Sequence, residues 1–283
     1  DLYIDVKSMM QHCEARTIRL IAFWLNNKVK SHGESIYRYE EELIDETNPY
    51  LVNDGVFVLE QLIPAIPKSE EMVLYLSEWS GSYLHRNSIE RAAVELIKKA
   101  NIAIISKNPE YFWKYYAPYR GKNYAVYNEI ILHGMCFLPQ SYSNQIIEYL
   151  TGDFDKKVFD YTSGAENELG LFEQVLKVHT AYCGDEHLYA FLEAVVKYIP
   201  PESKENYKRR IEFNRKKENP HVYWSFWGDF QYHILQSVPS ERLTPKYKEL
   251  LNVLDRKFRG QAYRYINRNG HYGWVKSPIS EKK

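Results

Sequence analysis

The chain has 283 residues, 45% hydrophobic and 26% charged, with thirty-seven basic residues balancing thirty-seven acidic ones. That composition excludes wholesale disorder, and a net charge of zero argues against a chain wholly dedicated to nucleic acid or anionic membrane. Cys13, Cys136 and Cys183 are scattered without a CxxC pair, so no disulfide framework is expected. No apolar run approaches the roughly eighteen residues of a membrane span, and no charged stretch followed by an apolar one marks an export signal within these residues. The expected compartment is the cytoplasm. The chain opens on Asp1-Leu2-Tyr3 without an initiator Met and stops in the polar Ser280-Glu281-Lys282-Lys283, which predicts a segment of a longer protein.

Taken in order, the apolar residues fall at helical spacing. Ile18, Ile21, Ala22, Leu25 and Val29 make the first stripe, and Met72, Tyr75, Leu76, Trp79 and Tyr83 the second. Leu188, Phe191, Leu192, Val195 and Ile199 follow, then Tyr223, Phe226, Trp227, Phe230 and Ile234, then Tyr247, Leu250, Leu251, Leu254 and Phe258. Each stripe marks one face of a 3.6-residue helix, and no sustained alternation predicts a strand. Asn48-Pro49, Asn108-Pro109, Asn219-Pro220 and Thr244-Pro245 each put a capping side chain before a proline at the first helical position, where the missing N–H costs nothing. Roughly ten to twelve helices result.

Three junctions share the plan of apolar helix, proline turn, apolar helix, around Pro64, Pro139 and Pro239. The predicted fold is all-α: a degenerate α-solenoid of antiparallel helical hairpins, a HEAT/TPR-like superhelix without the tetratricopeptide signature. Residues 1–151 form an N-terminal helical-repeat half, 152–168 a loop or hinge, and 169–258 a C-terminal half. Residues 259–283 form an irregular tail leading to sequence beyond the segment.

Chemistry-bearing motifs are sparse. Gly121-Lys122-Asn123 lacks the earlier glycine and the Ser/Thr of a phosphate loop, and reads as a turn. His179, Cys183 and His187 have zinc-type donors, but Gly184-Asp185 interrupts the helix and no fourth ligand stands at sensible spacing; a core histidine and a buried thiol are expected. Asp153, Asp155 and Asp160 lack the glycine and closing glutamate of a calcium loop. No catalytic residue, metal ligand or cofactor is expected in this segment.

Two features point to partners. Tyrosine is abundant, 25 residues against 12 Phe and 6 Trp, and it offers large contact area at low entropic cost. Tyr111, Trp113, Tyr115, Tyr116 and Tyr119 are the candidate protein-binding residues. Residues 204–217, with Arg209, Arg210 and Arg215, and residues 256–276 are basic and interleaved with aromatics. They are the alternative, a nucleic-acid-binding helical repeat.

The run Lys107-Asn108-Pro109-Glu110-Tyr111-Phe112-Trp113, then Tyr127-Asn128-Glu129-Ile130-Ile131-Leu132, then Asp153-Phe154 with Phe159-Asp160-Tyr161-Thr162-Ser163-Gly164 resembles the C-terminal helical-repeat part of bacterial antiviral STAND-type ATPases. Ser277-Pro278-Ile279-Ser280 is similar to a junction leading into further repeats. In that family an effector and a P-loop ATPase precede the repeats, and the repeats bind a phage protein such as terminase or portal. The resemblance implies a sensor fragment whose partner is a phage structural or packaging protein, and whose parent oligomerises. The chain has no ATPase motif, so no nucleotide-binding residue carries over.

Overall fold

Ile18, Ile21, Ala22, Leu25 and Val29 are all buried on one face of α1 (Val6–Lys30), as their spacing predicts. The backbone kinks at Cys13 (φ −151°, ψ 58°). There the Thr17 hydroxyl reaches the Met9 and Cys13 carbonyls at 3.1 and 2.9 Å, bridging the two sides of the kink. The computed structural model describes residues 6–30, 51–66, 68, 89–122, 124–154, 171–199, 203–215 and 227–259.

Ten further helices follow among the described residues: α2 (Leu51–Leu62), α3 (Ile89–Lys107), α4 (Pro109–Tyr115), α5 (Ala125–Met135), α6 (Ser143–Leu150), α7 (Leu171–His179), α8 (Asp185–Lys197), α9 (Ser203–Arg215), α10 (Asp229–Gln236) and α11 (Pro245–Phe258). No strand occurs among them, and no helix is long and apolar enough to cross a membrane. The fold is all-α. The stripe Met72–Tyr83 and the caps Asn48-Pro49 and Asn219-Pro220 lie outside the described residues.

Each helix packs mainly on helices close to it in the chain. α1, α2 and α3 pack mutually, and α3 meets α4 and α5. α5 and α6 lie on α7, α6 on α8, α7 and α8 on α10, and α10 on α11. Helices before and after residues 152–168 therefore share one core. Of that segment only 152–154 is described, and Phe154 is a hub there, with its ring 5.1–6.2 Å from Phe172, Phe191, Tyr198 and Phe230. Gly55 lets α2 lie close on α3: a Cβ there would stand 3.2 Å from the Ala100 carbonyl oxygen.

The three proline junctions each contain a 3₁₀ turn, at Ile63–Ala65, Gln140–Tyr142 and Ser240–Arg242. The last two match atom for atom: Tyr142 N–H donates to the Pro139 carbonyl at 3.0 Å, and Arg242 N–H to the Pro239 carbonyl at 2.9 Å. Neighbouring junctions are tied together. The Asn144 side chain, at the start of α6, accepts from Gly184 N–H before α8 (2.6 Å). The Arg242 guanidinium donates to the Ala181 and Cys183 carbonyls at 3.0 and 2.6 Å and pairs with Asp185 at 3.1 Å. The turns of α5/α6, α7/α8 and α10/α11 thus stand side by side.

Candidate recognition surface

α4 is a seven-residue helix opened by the Asn108 side chain, which accepts from Tyr111 N–H at 3.2 Å, with Pro109 at the first helical position. So short an element, ringed by aromatics, points them in every direction, and the structure divides the cluster into three. Phe112 and Tyr116 face the core, 0% exposed, with rings 4.9 Å apart. Tyr116 exchanges hydrogen bonds with the Asn101 amide of α3 at 3.1 and 3.2 Å. Its place among the partner-binding residues is therefore corrected: a fully buried side chain satisfied within the core offers nothing to a partner.

Tyr111 and Tyr115, four residues apart, share a partly exposed face and stack at 5.8 Å with 21° between their planes. Tyr119 continues it, stacked on Tyr127 at 4.6 Å with the Lys68 ammonium 5.7 Å from its centroid. Burial, then the nearby Tyr119 and Tyr111, pushes the Tyr115 phenol well above its ordinary pKa. The hydroxyl therefore stays a neutral donor. Trp113 looks the other way, its ring 5.9 Å from Tyr142 and 3.9 Å from the Arg120 guanidinium, which also donates to the Trp113 carbonyl. Those contacts hold the indole in one orientation while leaving it partly exposed.

Arg209 and Arg215 are exposed on α9; Arg210 is on the same helix, and its side chain lies outside the described residues. α9 is in none of the principal helix packings above. The second basic segment is described only to Arg259. Arg256 donates to the Asn252 carbonyl at 3.3 Å, Lys257 lies over the Phe258 ring and Arg259 pairs with Asp255. The rest of 256–276, the tail to Lys283, Asp155, Asp160, Phe159–Gly164 and Ser277–Ser280 lie outside the described residues.

His179 is fully buried and uses both ring nitrogens: Nε2 lies 2.8 Å from the Met135 carbonyl and Nδ1 3.0 Å from Ser143 Oγ. The carbonyl only accepts, so Nε2 carries the proton and Nδ1 accepts from Ser143. This neutral histidine bolts the C-terminal ends of α5 and α7 to the start of α6. Burial raises the pKa of Cys183, whose thiol reaches the Thr180 carbonyl at 3.7 Å. No group of three or more metal-type side chains converges among the described residues. Gly121 (φ +80°) and Lys122 form the turn between α4 and α5.

The sequence reading missed the exposed apolar residues of the aligned turns. Phe137, 47% exposed, leaves the end of α5, and Tyr182, 55% exposed, leaves the end of α7. The His179–Met135 bond brings those two ends together. Their signal was available, since each follows a helix end that the chain punctuates. A shallow open depression lined by Lys177, Ser237, Pro239 and Leu251 lies nearby and gathers no carboxylate or histidine. No family model, curated protein or solved structure matches the chain.

Proposed function

We propose that this chain is a protein-recognition module, an α-solenoid of antiparallel hairpins acting as the sensor segment of a bacterial antiphage STAND-type ATPase. Its partner is a phage structural or packaging protein, and the segment itself is not an enzyme. The observation that carries the recognition reading is the set of partly exposed aromatics around α4, Tyr111, Trp113, Tyr115 and Tyr119, each locked by ring or cation contacts. Rigid aromatics bind with little ordering cost and are the side chains that dominate interface hot spots. The side-by-side turns and neighbour-to-neighbour packing support the solenoid, because in repeat stacks each unit contacts chiefly the next. The assignment to defence ATPases rests on the sequence resemblance alone.

The test is calorimetric titration of the chain with purified phage portal and large terminase subunits. Binding to one of them, weakened about thirtyfold or more by Trp113→Ala or Tyr115→Ala, is the expected result, corresponding to a loss of about 2 kcal/mol at a hot spot. Absence of binding to both sinks the phage-sensor reading. Binding that ignores both substitutions moves the interface away from α4.

A further inference from the structure

We propose that α9 is a nucleic-acid contact that grips the phosphate backbone without reading base sequence. Seven of the thirty-seven basic residues and two of the thirty-seven acidic ones fall within 203–217, a local charge of +5 that leaves the rest of the chain at −5. Overall neutrality therefore conceals one strongly cationic helix. Lys204, Lys208, Arg209 and Arg215 are all exposed. Lys208, Arg209 and Arg215 make no ion pair among the described residues. Several cations elsewhere, Lys98, Lys114, Arg242, Lys246 and Arg259, each hold a carboxylate. Single lysines unpaired among the described residues, such as Lys177 and Lys248, are scattered over other helices rather than lined along one.

Helical geometry puts Lys204, Lys208 and Arg215 within about 40° of one another around the axis and spreads them along about 16 Å. That length matches about five nucleotides at roughly 3.4 Å per phosphate on one strand. An acidic protein surface is the weaker fit. Exposed ion pairs between proteins contribute little, and a stable protein interface needs an apolar centre. The described exposed side chains of α9 are Lys204, Glu205, Lys208, Arg209, Glu212 and Arg215, all charged, while Tyr207 and Ile211 are half-buried. Nucleic acid needs no apolar centre, because each cation that replaces a condensed counterion contributes through its release.

The experiment is fluorescence anisotropy of the full chain with a labelled ~25-base-pair duplex and its single strand, from about 50 to 200 mM salt. With about four phosphates neutralised, the duplex log–log salt slope is about −3.6, roughly a hundredfold weakening over that range. Lys208→Gln with Arg209→Gln flattens the slope by about 1.8 and weakens low-salt binding more than tenfold. Lys177→Gln with Lys248→Gln, which removes the same charge from exposed positions on α7 and α11, changes neither, which separates the α9 contact from overall charge. Circular dichroism of the double variant, and retention of binding by Lys208→Arg with Arg209→Lys, establish that charge and not folding was altered. No binding at low salt, a slope unchanged by the double substitution, or equal affinity for poly-glutamate would each overturn the assignment.

Discussion

Lys98 reaches from α3 to place its ammonium 2.5 Å from the Glu129 carboxylate of α5, and both side chains are shut from solvent, 6% and 3% exposed. Glu95, a turn earlier on α3, takes a second bond from the same ammonium at 3.0 Å. In a low-dielectric interior such a pair is costly to split and gains little over an apolar replacement of similar volume. Lys98→Met alone, or Glu129→Leu alone, is therefore expected to lower unfolding free energy by about 3–5 kcal/mol. The double substitution should restore most of that loss. Urea denaturation of the four proteins of this cycle measures it, and a double variant as unstable as the sum of the singles would contradict the account.

The core also has a pH limit. Burial depresses the pKa of His233 to about 4, and burial likewise lowers that of His179. A histidine whose folded pKa lies below its unfolded value is stable neutral: between about 4 and 6.5 the unfolded chain takes up a proton that the fold refuses. Stability is thus complete above about pH 6.5 and falls as pH drops toward 4, by about 1–2 kcal/mol for His233, whose partial exposure lets solvent screen the effect. For His179, protonating Nδ1 would also break its acceptance of the Ser143 hydroxyl. Glu193 and Asp255 have pKa values held down by hydrogen bonds from Lys246 and Arg259, so the stability they contribute is present above the ordinary carboxylate range and is lost as pH falls through it, adding to the acid side of the decline. Urea midpoints at pH 7, 6 and 5 should decline, and His233→Gln should shallow the decline. A flat profile would show that neither imidazole resists protonation.

Much of the fold was legible in the sequence because burial follows the 3.6-residue period wherever a helix presents one face to its neighbours. The α1 stripe, the Pro139 and Pro239 turns and the Asn108 cap are cases where one local rule decides the outcome. Lys98 defeats such reading: its buried partner is 31 residues away on another helix, and nothing between Ile97 and Lys99 marks a lysine as internal. The Cys13 kink was hidden for a related reason, since the Thr17 hydroxyl that bridges it stands one turn further on. At α4, periodicity loses its force because a seven-residue helix spans only about two turns, too short a run for one apolar stripe to stand out among so many aromatics. Tyr116 therefore looks like its exposed neighbours in sequence and differs from them only in three dimensions.

Gly134 faces the ring of Phe112 so closely that a Cβ there would lie 2.3 Å from its Cζ atom. Because Phe112 is fully buried, the ring has little room to retreat. Gly134→Ala should cost about 1–3 kcal/mol through overpacking, despite alanine's higher helix propensity. Combining it with Phe112→Leu should recover part of that loss, a non-additivity that thermal melts of the two singles and the double can resolve. Additive losses would mean that α4 and α5 separate independently of this contact.

Tyr116 and Trp113 make opposite predictions, although both belong to one aromatic run. Tyr116→Phe keeps the ring and removes the hydroxyl that satisfies Asn101, so it should destabilise the fold by about 1–3 kcal/mol. It should leave partner affinity unchanged once folding is complete, because the hydroxyl never reaches the surface. Trp113→Ala removes a partly exposed indole from beneath Arg120, so its larger effect should be on partner affinity, with a smaller loss of stability from the freed guanidinium. Measuring melting temperature and affinity on both variants separates core from surface. If Tyr116→Phe weakened binding while stability held, Tyr116 would have to be reachable, and the division of the cluster into core and surface would be wrong. The same outcome would return all five aromatics to a single surface, as their adjacency in sequence first suggests.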